Sequence, residues 1–549
     1  MLRKIRILAA AFVFLLISFL FLDFTGTVSA WFGWLAKLQF VPALLAVNGM
    51  ILAALVVLTF LFGRLYCSVL CPLGVMQDLI SWFAGRFKKN RFLWKPARNV
   101  VRWSIFVIFT VLLLTGSVAW AAVIAPYSLF GRIISTTLVP LYRMGNNGLA
   151  FLSSQMENYW FYSVEIGGNL VPATVLSLLF FLVIAVVAWR FGRDYCNTVC
   201  PVGTFLGLLT RFSIFKPRID SAKCNSCGLC ARNCKSSCIH SQEQKIDYSR
   251  CVSCFNCLGS CRRGALEYLP FWSRKTRENV SETNAVSETN AVLETSAVSL
   301  QSAILSEQKS GSTQERVSEK TTGEKQNVVP SKNTILPAAR RQFLTAAAML
   351  AVGASVQAQE KPKIKFDGGL SKLIPREAPA REENPTPAGS LGRKNFESRC
   401  VGCLLCVQAC KNHVLQPVNA GLLTIATPEM SFEEGYCRPE CVDCSTVCPA
   451  GAIRPITEAE KSATQIGYAV WVRERCIVLT DGVPCGNCFR HCPNDSIQMI
   501  LSDPSDPNSL QVPVIDTERC IGCGACQYHC PARPVSAIYV EGVKRHRVV

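Results

Sequence analysis

At 549 residues with a formal charge of +19, the chain is long enough for several domains, and its apolar first half and polar, Cys-rich second half exclude a single fold. Up to position 270 there are 26 basic and 9 acidic residues, so most of the excess charge lies beside the apolar runs, reports membrane topology, and argues against a nucleic-acid partner. The 29 cysteines make thiolate chemistry the main question.

Four apolar runs reach the length needed to cross a hydrocarbon core of about 30 Å: Ile5 to Leu22, Val41 to Gly63, Trp103 to Val123 and Pro172 to Trp189. After the second run come Arg64, Arg86, Lys88, Lys89, Arg91, Lys95, Arg98 and Arg102 against the acid Asp78, whereas the loop after the third has Arg132 and Arg143 against Glu157 and Glu165. With Arg3, Lys4 and Arg6 at the start and Arg190 and Arg193 after the fourth run, the positive-inside rule puts both ends of a four-span bundle, residues 1–218, in the cytoplasm. Trp31, Trp34 and Trp120 read as interface anchors.

FGRLYCSVLCPLG, Phe62 to Gly74, closes the second run and returns as FGRDYCNTVCPVG, Phe191 to Gly203, after the fourth. Cys67 and Cys71 are four residues apart and would share a helix face, but Pro72 disfavours helical geometry at Cys71, so the span is expected to end there and a new helix to begin. Cys196 and Cys200 repeat the pattern at the same depth. A pseudo-twofold bundle would bring the four thiols together near the cytoplasmic surface, as a redox or metal site: an iron–sulfur centre, a soft metal such as Cu(I), or a dithiol pair.

Residues 219–270 carry CNSCGLCARNC, Cys224 to Cys234, and CVSCFNCLGSC, Cys251 to Cys261. This C-x2-C-x2-C-x3-C spacing wraps three thiolates round one cubane and sends the fourth to its neighbour. One 4Fe-4S cluster is therefore assigned to Cys224, Cys227, Cys230 and Cys261, and another to Cys251, Cys254, Cys257 and Cys234. Cys238 stands outside every quartet and reads as a packed thiol. Residues 271–336 are rich in Ser, Thr, Glu, Asn and Gln and read as a disordered tether. ARRQFLTAAAMLAVGASVQAQ, in the segment 337–359, looks like a twin-arginine export signal or anchor.

The last domain, 360–549, adds four groups, two of them with a widened first gap. Pairing neighbours gives Cys400, Cys403 and Cys406 with Cys448; Cys437, Cys441 and Cys444 with Cys410; Cys476, Cys485 and Cys488 with Cys530; and Cys520, Cys523 and Cys526 with Cys492. The total is six 4Fe-4S clusters. The expected fold is therefore multidomain: a four-helix transmembrane bundle plus α+β dicluster ferredoxin modules, one after the bundle and two in tandem at the C-terminal end. None of the five histidines lies in an apolar run and there is no C-x-x-C-H, so haem is not expected, nor is a flavin or nicotinamide site, since no G-x-G-x-x-G follows a strand pattern.

With its apolar runs, CSVLCP, CNTVCP and the first ferredoxin pattern, the segment 1–270 resembles the membrane-bound H subunit of the periplasmic nitrate reductase (Nap) quinol-dehydrogenase pair. From about Arg340 onward the chain resembles the exported four-cluster G subunit, so the whole resembles an H-to-G fusion. The resemblance implies an inner-membrane electron-transfer component that oxidises quinol, menaquinol included, and feeds a periplasmic reductase or cytochrome. It also implies a cytoplasmic N-terminus and a periplasmic last domain. Two other classes compete: a copper-handling or oxidase-assembly membrane ferredoxin, which shares C-x-x-x-C-P, and a redox sensor. Anaerobically purified protein is expected to contain iron and acid-labile sulfide in equal amounts; zinc in their place would contradict the cubane assignment.

Overall fold

The computed structural model describes residues 1–23, 25–87, 92–156, 161–164, 171–272, 365–366, 372–417 and 427–549. The chain forms two compact units, Met1–Ser273 with Arg376–Val549, and Arg274–Pro375. In the second unit the described residues include a short antiparallel pair, Lys365–Phe366 with Lys372–Leu373. The predicted tether beyond Trp272 and the twin-arginine segment lie outside the described residues.

Helix α1 (Leu2–Leu22) has 21 residues and so runs for about 31 Å. It buries Arg6, Ala10, Ile17, Leu20 and Phe21, and leaves Leu8, Phe12, Leu15 and Phe19 exposed. An apolar face turned outward on a helix this long suits lipid, not water. Val171–Phe191 is the other helix of spanning length among the described residues.

The remaining two predicted spans are interrupted, which corrects the expectation of four continuous helices. Val41 to Gly63 divides into Phe40–Leu45 and Gly49–Phe62. Val47 takes φ +55°, and the Asn48 side chain then caps the second piece by accepting from the Ile51 N–H at 3.3 Å. Hydropathy alone cannot see this, because Asn48-Gly49 is a turn signal set in an otherwise apolar run. The third run stops after Asn99–Leu114 at Gly116, φ +77°, and resumes as Val118–Ile124. Pro126 then opens a helix that, paired with Val118–Ile124, forms a bend of 77°. Among the described residues two helices are thus long and apolar enough to cross a membrane, or three if the bent pair is one span.

The first module follows Pro201–Thr210. It is a small α+β unit in which Phe215–Ile219 pairs antiparallel with Leu266–Pro270, and Ile239–His240 with Lys245–Ile246. The C-terminal part repeats the plan with Leu415–Pro417 against Pro428–Met430, Ile497–Leu501 against Gln511–Ile515, and Ile538–Val548 against Thr464–Trp471. Short strands suffice because the core between them is mostly cysteine and small apolar side chains.

The two ends of α1 meet different modules. Near its start, Arg3 Nη1 lies 3.6 Å from where a Cβ on Gly259 would be, and Arg6 shares Asp78 with Lys235 of the first module. Near its other end, Phe21 and the Cys403 carbonyl both close on Gly131, where an added Cβ would sit 3.0 Å from the Phe21 ring and 2.5 Å from the Cys403 oxygen. Lys411 Nζ is likewise 3.8 Å from a Cβ placed on Gly26, just beyond α1. Gly131→Val is therefore expected to push the Cys403 loop off the bundle, at a cost of about 1–3 kcal/mol for overpacking. Differential scanning of the solubilised protein checks this; an unchanged transition would show that the approach is not tight.

Candidate iron–sulfur sites

The repeated FGR explains itself in the backbone. Gly63 and Gly192 take φ +73° and +67°, ending the helices Gly49–Phe62 and Val171–Phe191 in the left-handed region that favours glycine. Arg64 and Arg193 then turn inward and are fully buried. Each crosses to the other copy: Arg64 Nη2 donates to the Cys196 carbonyl at 3.0 Å, and Arg193 Nη1 to the Cys67 carbonyl at 2.5 Å. Cys67 and Cys196 sit in the short helices Leu65–Val69 and Asp194–Thr198, and Pro72 and Pro201 start new helices immediately after Cys71 and Cys200. Cys71 is non-helical, as Pro72 requires.

This brings the four sequence-predicted thiols together. Each is buried; Cys71 lies within electrostatic range of Cys67 and Cys196, and Cys200 within range of Cys196, Cys67 and Cys71. Three N–H groups reach the sulfurs: Gly203 N donates to Cys200 Sγ at 3.3 Å, Gln77 Nε2 to Cys196 Sγ at 3.4 Å, and the Gly74 N–H reaches Cys71. Gln77, at 0 % exposure, was not anticipated from the sequence, and its counterpart 129 positions on is Leu206.

Around the thiols lies a buried ion network that the sequence suggests only as scattered topology charges. Asp78 accepts from Arg6 at 2.8 Å, from Arg193 at 2.8 and 3.0 Å, and from Lys235 at 3.3 Å. In the second copy the equivalent position is Gly207, and Arg102 Nη2 occupies the space a side chain there would need. Arg64 and Arg102 both donate to the Ser249 carbonyl, each at 3.2 Å, which ties the first module to the bundle two residues before Cys251.

The other thiols group as follows. Cys254 and Cys257 lie within range of Cys251 and Cys234. Cys224, Cys227, Cys230 and Cys261 line one cavity of about 220 Å³. In the last domain Cys406 faces Cys400, Cys403 and Cys448; Cys444 faces Cys437, Cys441 and Cys410; Cys488 faces Cys476, Cys485 and Cys530; and Cys526 faces Cys520, Cys523 and Cys492. Neighbouring groups follow one another in series. Cys406 is in range of Cys444, the Cys437 N–H donates to the Cys523 carbonyl at 2.9 Å, and Cys526 is in range of Cys488.

Whether these groups suit cubanes can be judged from the donors. In the regularly spaced quartets the residue before the second cysteine and the one after it both take positive φ: Ser226 and Gly228, Ser253 and Phe255, Gly402 and Leu404, Gly522 and Gly524. Phe255 and Leu404 hold this costly conformation because it curls the loop and aims its amides inward. The N–H groups of Ser253, Gly402 and Gly522 reach the sulfurs of Cys251, Cys400 and Cys520. Among the described residues no three of His, Cys, Asp or Glu gather as they would round a single metal ion. Burial pushes the thiols of Cys403 and Cys523 up to about 12 and Cys254 and Cys488 up to about 11, so loading the site must displace protons. Cys238 is buried, with its Sγ 3.5 Å from Cys234 Sγ.

Repeated cysteine loops on small antiparallel pairs define a ferredoxin-type iron–sulfur protein. A family described as "4Fe-4S binding domain" matches residues 45–90 and again 173–220, and one described as "4Fe-4S dicluster domain" matches 475–533. The cysteines within the first two segments are Cys67 and Cys71, and Cys196 and Cys200. The methylamine utilization ferredoxin-type protein MauM of Methylobacillus flagellatus is 33 % identical over 165 residues, 30 % of this chain and 70 % of MauM. The ferredoxin-type protein NapG of Escherichia coli is 29 % identical over 202 residues, 35 % of this chain and 80 % of NapG. No solved structure matches the chain significantly. The chain belongs to the family of ferredoxin-type proteins that includes MauM.

Asp78→Asn is expected to leave Arg193, Arg6 and Lys235 facing one another without a counter-charge, costing about 3–5 kcal/mol. The drop in the unfolding midpoint of the solubilised protein measures it; a change of a few tenths of a kcal/mol would mean that the network is hydrated.

Proposed function

We propose that the chain is a membrane-anchored electron carrier that oxidises quinol and passes the electrons through six 4Fe-4S clusters to a reductase outside the cytoplasm, nitrate reductase being one such acceptor. In this reading it is an H-to-G fusion with its first module in the cytoplasm and residues 360–549 in the periplasm. The observation that carries it is α1, whose two ends, about 31 Å apart, rest on different ferredoxin modules. A span that long matches the hydrocarbon core, which supports a reading with the modules on opposite sides.

When bound, the clusters supply one-electron storage and transfer. The chain's part is to hold them in order. Twenty-four cysteines in the six quartets provide ligands, amides from left-handed residues reach the sulfurs, and the buried cations around Asp78 and Ser249 offset negative charge at the bundle end of the first module. At the far end of the last domain the widened gap between Cys476 and Cys485 is filled by the turn Ile477–Thr480, and Leu479, Val483 and Phe489 are exposed around it. This apolar rim beside the terminal quartet suits a docking redox partner. Likeness to both MauM and NapG leaves the partner's chemistry to that surface rather than to the quartets.

Purified protein mixed anaerobically with a reduced quinol analogue is expected to lose the visible absorption of oxidised iron–sulfur clusters within the mixing experiment. Full retention of that absorption, with dithionite still able to bleach it, would overturn quinol as the donor.

A further inference from the structure

Six clusters leave an interval between the module at the start of α1 and the modules at its end, and the interior of the bundle fills it. Val252 and Cys254 of the first module, the four repeat thiols, Tyr66, Tyr127 and Tyr195, and Cys400 and Cys403 of the last domain all belong to one continuous buried apolar core. On one side, Arg193 bonds the Cys67 carbonyl and lies within range of both Cys196 and Cys254. On the other, Tyr195, within range of Cys200, Cys196 and Cys71, donates to the Ile124 carbonyl at 2.8 Å. Arg132, buried in the next helix, is within range of Tyr195 and of Cys403, whose carbonyl rests on Gly131.

We infer that Cys67, Cys71, Cys196 and Cys200 hold a further iron–sulfur centre inside the bundle, and that this centre is the electron relay between the Cys251 quartet and the Cys400 quartet. The inference rests on the electron-transfer reading above and adds to it a seventh site and a route. Charge supports it. Arg6, Arg64, Arg102, Arg193 and Lys235 converge at this level, and the carboxylates bonded to them or to Ser249 beside them are Asp78 and Asp247. These cations, which also face the first module, lie beside the four sulfurs, a setting that suits thiolates round iron. The N–H groups of Gly203 and Gln77 on two of the sulfurs are the kind of bond that tunes such a centre. The segments carrying these cysteines are also those that match a 4Fe-4S binding family. The transfer is balanced: one electron enters from one module and one leaves to the other, with no bond or proton exchanged.

The intact protein in sealed lipid vesicles, given dithionite on the outside, tests this. In the unaltered protein the clusters of both modules should bleach, because electrons entering the outward module cross the bundle. In Cys67→Ser with Cys196→Ser the far module should stay coloured while the near one bleaches, and iron analysis should show a loss confined to the relay. If the unaltered protein also leaves the far module coloured, electron transfer across the bundle fails and the functional reading falls with it. If the variant bleaches as fully as the unaltered protein, the relay alone is wrong. Gln77→Leu keeps all four thiols and serves where the double variant does not fold. It should move one component of an EPR-monitored redox titration to lower potential and leave the others in place; a titration with no component moved would overturn the assignment.

Discussion

Two guanidinium groups buried in an apolar bundle must find acceptors, and here each finds them on the opposite copy of the repeat. Arg64 bonds the backbone of Cys196, and Arg193 that of Cys67. Because a buried charge left unpaired costs several kcal/mol, neither half of the bundle is satisfied alone. The same groups reach Ser249 and, through Asp78, Lys235. The crossed arginines therefore do three things at once: they close the pseudo-twofold, place the four thiols and seat the first module.

The departure from twofold symmetry is as informative as the symmetry. Asp78 gathers three cations in one copy, while its counterpart Gly207 clears space for Arg102 in the other. Three cations meet one carboxylate on one side of the thiol site, and on the other Arg64 and Arg102 share the Ser249 carbonyl beside the Cys251 quartet. On the C-terminal side the passage to Cys403 is lined by Tyr195, Arg132 and Tyr127. From there the quartets follow in the spatial order Cys400, Cys437, Cys520, Cys476, which differs from their order along the chain and ends at the widened loop.

Much of this was legible in the sequence because cubane ligation needs fixed spacings, and Gly, Pro and Cys at fixed offsets state their backbone needs directly. The repeat was legible for the same reason. What escaped has a different physics. Asn48-Gly49 and Gly116 break apolar runs that hydropathy reads as continuous, since a local turn outweighs averaged apolarity. The neighbours Gln77 and Asp78 lie far in sequence from Arg102 and Ser249, and all four matter only through burial. Positive-inside counting reads Arg64, Arg102 and Arg193 as topology markers and cannot see that all three are buried. Cys238, a packed thiol in the reading of the sequence, is buried beside Cys234, a neighbour that spacing alone does not name.

What remains central is that the ferredoxin modules occupy opposite ends of one membrane-length helix. Limited proteolysis of sealed right-side-out and inside-out vesicles, read with antibodies to each module, tests it directly. The account predicts that fragments from 376–549 are released only from right-side-out vesicles and fragments from 219–272 only from inside-out ones. Release of both from the same face would contradict it.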